Sequence, residues 1–176
     1  NLTYQRMART ARETMRPAAI ATGSAGQPST SPSLPSYRPP RMDRFKRLLS
    51  DEIARGMVEI LDGNVLRMSN SFSSGSDRID EAYIPMLERI ARELQHGNRL
   101  ILVVGHTDNR PIFSARFPSN WHLSEARAKN VATIIAAAAP LEGRVRFEGR
   151  ADTQPIGPND TAAARARNRR IDIHIR

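Results

Sequence analysis

The chain has 176 residues, a formal charge of +9 and no cysteine, enough for one ordinary domain and a tail. Disulfides and thiolate metal sites are excluded. Its apolar runs are also too short to cross a bilayer.

Basicity this strong invites a nucleic-acid reading, but the charge is unevenly placed. Residues 1–41 hold six arginines against one glutamate, leaving only +4 for the other 135 residues. Half of the twelve prolines lie in residues 17–40, among Ser, Ala and Gly. Residues 1–41 are therefore expected to be a basic stalk and an extended linker, largely disordered, before a domain over residues 42–176. With one tryptophan, three tyrosines and no aromatic interleaving, no nucleic-acid partner is expected.

From Met42, apolar positions Phe45, Leu48, Leu49 and Ile53 repeat at helical spacing up to Gly56. Residues 57–61 and 65–69 flank Asp62-Gly63, a hairpin signal. A Ser/Gly loop then leads to a helix over residues 80–96, which tolerates Pro85 only near its first turn. Arg99 to Val104 is a short apolar run between Gly97 and Gly105, the pattern of a buried strand. A Pro-bearing loop separates it from a helix over residues 121–139, capped by Ser119 or Asn120. Residues 144–149 and 170–175 alternate as strands, with a short helix over 161–167 between them. The expected fold is α+β, a two-layer sandwich with a mixed β-sheet and helices on one face.

One residue breaks the pattern. Phasing the long helix at about 100° per residue puts Leu123, Val131, Ile134, Ile135 and Ala138 in an arc of roughly 120°. Arg127 falls in the middle of it. A buried guanidinium needs a partner, and Asp108, just past the preceding strand, is expected to meet it at the edge where ligands bind in α/β units. From these residues alone a structural ion pair and a ligand site are equally good readings. His106, Asp108 and either His122 or His174 also suggest a two-His-one-carboxylate iron site and an oxygenase, a remote alternative because the chain lacks the strands of a barrel. Ser124 is read as a capping or packing residue, and Trp121 as the anchor of the loop in the core, with carbohydrate stacking as its secondary reading.

An ordered set of motifs carries a family resemblance. Thr107-Asp108, then Asn120, Leu123, Ser124, Arg127, Ala128 and Val131, then Gly149 and Pro155, then Asn159 and Thr161, and finally Arg165, Asn168, Arg169 and Arg170 resemble the OmpA-like peptidoglycan-binding domain over roughly residues 57–176. Within that family the long loop Asn109 to Trp121 is similar to two branches, flagellar stator proteins (MotB) and type VI secretion inner-membrane anchor subunits (TssL). Gly149-Arg150-Ala151-Asp152, the Arg-rich ending and Leu48 to Gly56 lean toward the secretion branch. Two positions depart from the family pattern: Arg110-Pro111 stands where many members have Gly, and Ala164 replaces the Gly before Arg165.

The resemblance implies a non-enzymatic domain without cofactor or metal that captures the diaminopimelate of the peptidoglycan stem peptide. Carried over by motif, Asp108 would take the ammonium and Arg127 the carboxylate, with Thr107, Asn120, Leu123 and Arg169 completing the site. It further implies a periplasmic location, a membrane segment upstream of Asn1 and other secretion-complex subunits as partners. A homodimer is among the assemblies it allows, and a flagellar stator domain is the alternative.

Overall fold

The computed structural model describes residues 42–176; the expected stalk and linker, residues 1–41, lie outside the described residues. Two short helices open the described chain, α1 (Met42–Leu48) and α2 (Ser50–Ala54), followed by β1 (Glu59–Leu61) and β2 (Val65–Ser69). A 3-10 turn, Glu81–Tyr83, runs into α3 (Ile84–Leu94). Then come β3 (Ile101–His106), α4 (Asn120–Ala138), β4 (Val145–Gly149), α5 (Ala162–Asn168) and β5 (Arg170–Ile175).

Local chemistry accounts for most of these boundaries. The hairpin turns through Gly63 and Asn64 at φ 80° and 63°, a region that Gly and Asn enter at least cost. The Asp80 side chain accepts from Ala82 N at 3.0 Å to start the next helical segment. Pro85 falls in the first turn of α3, where its missing N–H costs nothing. The expected first helix breaks at Leu49, and the first strand shrinks to three residues. The buried strand extends to His106, so it includes Gly105 and leaves Asp108 two residues beyond its end.

The sheet order is β1-β2-β5-β3-β4, antiparallel except for the β3–β4 pair. The last strand is therefore central. Opposed pairs such as Leu66↔Ile173 and Val103↔Ile173 share one face, which buries Leu66, Met68, Ile101, Val103, Ile171, Ile173 and Ile175 against Leu87 and Ile90 of α3 and Val131 and Ile135 of α4. At about 1.5–3 kcal/mol per buried Leu, Ile or Val, this layer dominates the stabilising side of folding. Helix α4 can lie close because Gly105 and Gly149 face it. An added Cβ would come 2.1 Å from Ser124 O and 2.4 Å from Glu125 N, respectively.

The other face of β5 departs from its alternating pattern, which predicts solvated polar residues. Arg170 and Asp172 are buried. Arg67 on β2 holds Asp172 through two hydrogen bonds of 2.9 and 3.0 Å. Arg170 adds a bond to the same carboxylate at 3.2 Å and donates to Gln154 O at 2.9 Å. These partners let charges sit in a central strand. At the opposite end of the sheet, Arg44 and Phe45 of α1 share a surface depression with Gly97, Arg99 and Ile175.

Candidate functional site

At the carboxyl end of β3 and the start of β5 lies a cavity of about 570 Å³. Thr107, Asp108, Asn120, Leu123, Arg127 and Arg169, the six residues singled out from sequence, all line it. They reach it from the strand end, from the first two turns of α4 and from the residue before β5.

Asp108 is 7% exposed, and its carboxylate is held on both oxygens. Oδ1 accepts from Arg110 N at 2.9 Å, and Oδ2 accepts from Arg169 Nη1 at 2.6 Å. The Thr107 hydroxyl donates to Asp108 O at 2.9 Å. Asn120 Nδ2 donates to Arg110 O at 2.9 Å, tying the amino end of α4 to the loop. Charge-assisted bonds of this kind aim the carboxylate as well as stabilise it.

Arg127 is 6% exposed. Its Nε donates to Ser76 O at 2.7 Å and its Nη2 to Ser73 O at 3.1 Å, and its guanidinium lies over the Phe72 ring at 4.9 Å. Burial, followed by the positive charge of Arg169, lowers its pKa to about 10, against the pull of Asp108 and Asp77. It remains charged at neutral pH. Among the described residues no carboxylate lies within ion-pair distance of it. The expected direct contact between Asp108 and Arg127 is thus corrected: loop carbonyls draw the Arg127 fork, and Arg169 takes Asp108. The two predicted residues share a cavity without neutralising each other.

Sequence reasoning missed Phe72, Ile112 and Arg170, which also line the cavity. Phe72 sits directly before a Ser/Gly loop, and no local pattern marks it as a platform for an arginine more than fifty residues further along the chain. From sequence His106 enters only as a ligand of the remote iron-site alternative. It is 3% exposed, its Nε2 lies 3.7 Å from Asp172 Oδ2, and its buried Nδ1 has no hydrogen-bond partner. Burial, then the charge of Arg170, pushes its pKa down to about 4. Asp108 meanwhile turns to Arg169 and His122 Nδ1 to Ser119 Oγ at 2.7 Å. Among the described residues no three His, Cys, Asp or Glu side chains gather around a metal position.

The loop over residues 109–119 is fastened elsewhere than expected. Trp121 is 52% exposed, and the buried aromatic is Phe117. Phe117 N donates to Ser114 Oγ at 2.9 Å, and Arg116 reaches Asp77 at 3.1 Å. Ser124 donates to Trp121 O and accepts from Ala151 N, each at 3.1 Å. It is a packing residue, as its helical position suggested.

A five-stranded mixed sheet, helices on one face and this strand-end cavity define a known class: the chain belongs to the OmpA family, whose model matches residues 71–169. Its solved relatives include the cell wall anchor of the type VI secretion system from Pseudomonas aeruginosa, 41% identical, with a TM-score of 0.68 over 73% of this chain and 93% of that one. The periplasmic domain of Helicobacter pylori MotB (residues 90–256) is 29% identical, with a TM-score of 0.61 over 70% of this chain and 82% of that one. Motility protein B of Bacillus subtilis is 36% identical over 106 residues, 59% of this chain and 41% of the relative. This chain thus spans less than half of that curated relative's length.

Proposed function

We propose that the cavity binds the diaminopimelate end of a peptidoglycan stem peptide, without catalysis, and so anchors a type VI secretion membrane complex to the cell wall. The observation that carries this reading is Arg127: buried, charged and, among the described residues, lacking a carboxylate partner, in one cavity with Asp108. An amino-acid terminus offers an ammonium and a carboxylate side by side. The carboxylate supplies the counter-ion that Arg127 lacks, and the ammonium meets Asp108. Thr107 and Asn120 fix the backbone around Asp108, Leu123 forms part of the wall, and Arg169 keeps Asp108 paired until the ligand arrives.

The secretion role rests on likeness to the Pseudomonas aeruginosa anchor, whose identity exceeds that of the MotB structures. On this reading the domain is periplasmic, held by a membrane segment upstream, with other subunits of the complex as partners. The second reading, a flagellar stator domain, is favoured by motility protein B of Helicobacter pylori, which aligns over 92% of this chain at 27% identity. The segment preceding Asn1 decides between them: a cytoplasmic domain before the membrane span marks secretion, and a short one with a membrane Asp marks a proton-driven motor.

Co-sedimentation with purified sacculi tests the site. Asp108→Ala and Arg127→Ala are each expected to weaken binding more than tenfold, because truncating one partner of a buried charge pair costs about 2–5 kcal/mol. Equal pelleting of wild type and both variants would remove the assignment.

A further inference from the structure

We propose that His106 is a second acceptor for the ligand's ammonium, its Nδ1 taking an N–H that Asp108 leaves free. The proposal rests on the peptidoglycan reading above and deepens it, adding a residue that senses how many N–H groups the diaminopimelate amine carries.

His106 lines the cavity together with Asp108. Only Thr107 separates them, so their Cα atoms are no more than about 7 Å apart. Both side chains are buried, and Nδ1 of His106 has no hydrogen-bond partner among the described residues. A buried polar atom left unpaired is costly enough that each one calls for an explanation. The neighbouring donors are committed elsewhere. The Thr107 hydroxyl donates to Asp108 O and its N–H to Ala151 O. Arg170, opposite His106 on β5, directs Nε, Nη1 and Nη2 to Asp172, Asn168 O and Gln154 O.

The surroundings also decide what the atom can do. Asp172 lies opposite Val104, two residues back from the end of β3, and Nε2 is drawn toward its carboxylate, 3.7 Å away. The ring proton belongs on Nε2, the nitrogen nearest the negative charge. Burial and the charge of Arg170 keep the ring neutral at pH 7. Nδ1, left toward the strand end where the cavity opens, therefore carries a lone pair and can only accept. The ligand must bring the N–H, and a primary ammonium has three. Asp108 already accepts from Arg110 N on one oxygen and from Arg169 on the other, so it is poorly placed to take them all. An acceptor two residues upstream takes another.

The test uses the full chain and two probes: the N-acetylated stem tripeptide with a free diaminopimelate amine, and the same peptide with that amine dimethylated. Dimethylation keeps the positive charge but leaves a single N–H, which Asp108 can take. By calorimetry the wild type is expected to bind the free-amine probe about tenfold more tightly. His106→Phe should lose that margin and bind both probes alike. His106→Asn, whose side-chain oxygen can stand in for Nδ1, should restore part of it. A merely structural role would weaken both probes equally. Nitrogen NMR of histidine-labelled wild type reads the bond directly, whether or not the variants fold. The Nδ1 resonance of His106 should move with the free-amine probe and stay put with the dimethylated one. An Nδ1 resonance indifferent to the free-amine probe, as a permanently bound water would give, overturns the proposal, and so does equal weakening of both probes in His106→Phe. Failure of the wild type to bind either probe instead overturns the peptidoglycan reading, and the role of His106 falls with it.

Discussion

His106 records in one side chain what the polar face of the sheet costs. Its ordinary pKa is near 6.5, and burial among Arg170, Arg150 and Arg67, opposed by Asp172, brings it to about 4. Protonation is thus easier in the unfolded chain than in the folded one. The stability this group contributes is present in full above pH 6.5 and is lost as pH falls toward 4. His174 is lowered in the same direction, mainly by burial, whereas Asp172, lowered by its arginines, acts only below its ordinary carboxylate range. Denaturant unfolding at pH 7 and 4.5 should show the wild type losing up to about 2–3 kcal/mol through His106, at about 1.4 kcal/mol per pKa unit. His106→Asn should flatten that slope and leave only the part due to His174. An unchanged slope would mean that His106 does not titrate between those limits.

Among the elements, the contact of α4 with β3 and β4 decides where the site falls. Gly105 and Gly149 let Ser124 and Glu125 sit on the strand ends, bringing Asn120, Leu123 and Arg127 to the cavity. Gly105→Ala drives a Cβ into a helix backbone that cannot rotate away, and it should cost about 3 kcal/mol in a thermal melt. Periodicity was enough to find α4, its cap and the odd placement of Arg127, because those are local properties of one helix. The pairing of Asp108 with Arg169 was not legible. It depends on β5 lying beside β3 in the register His106↔Arg170, a contact between segments more than sixty residues apart. The burial of Arg170 and Asp172 was hidden for the same reason, since the partner that neutralises Asp172 is Arg67, on β2. Phe117 and Trp121 are both loop aromatics, and only the closed loop shows which one enters the core.

In the molecule as a whole, the described core runs from Phe45 to Ile175 and draws on every layer. A chain beginning at Met42 is therefore expected to keep the melting temperature and the sacculus binding of the full sequence, as circular dichroism and co-sedimentation would show. A large loss of either would give residues 1–41 a part in the fold or the site. The placement of α1 has a mechanical consequence. Arg44 and Phe45 lie beside Gly97, Arg99 and Ile175, at the pole opposite His106 and Arg170. Tension between the preceding chain and a wall fragment seated in the cavity would run along β3 and β5, about 20 Å at 3.3–3.4 Å per residue. Both strands span the same two poles, Arg99 beside Ile175 and His106 beside Arg170, so they would carry that load side by side along their length, and neither would be peeled from the other.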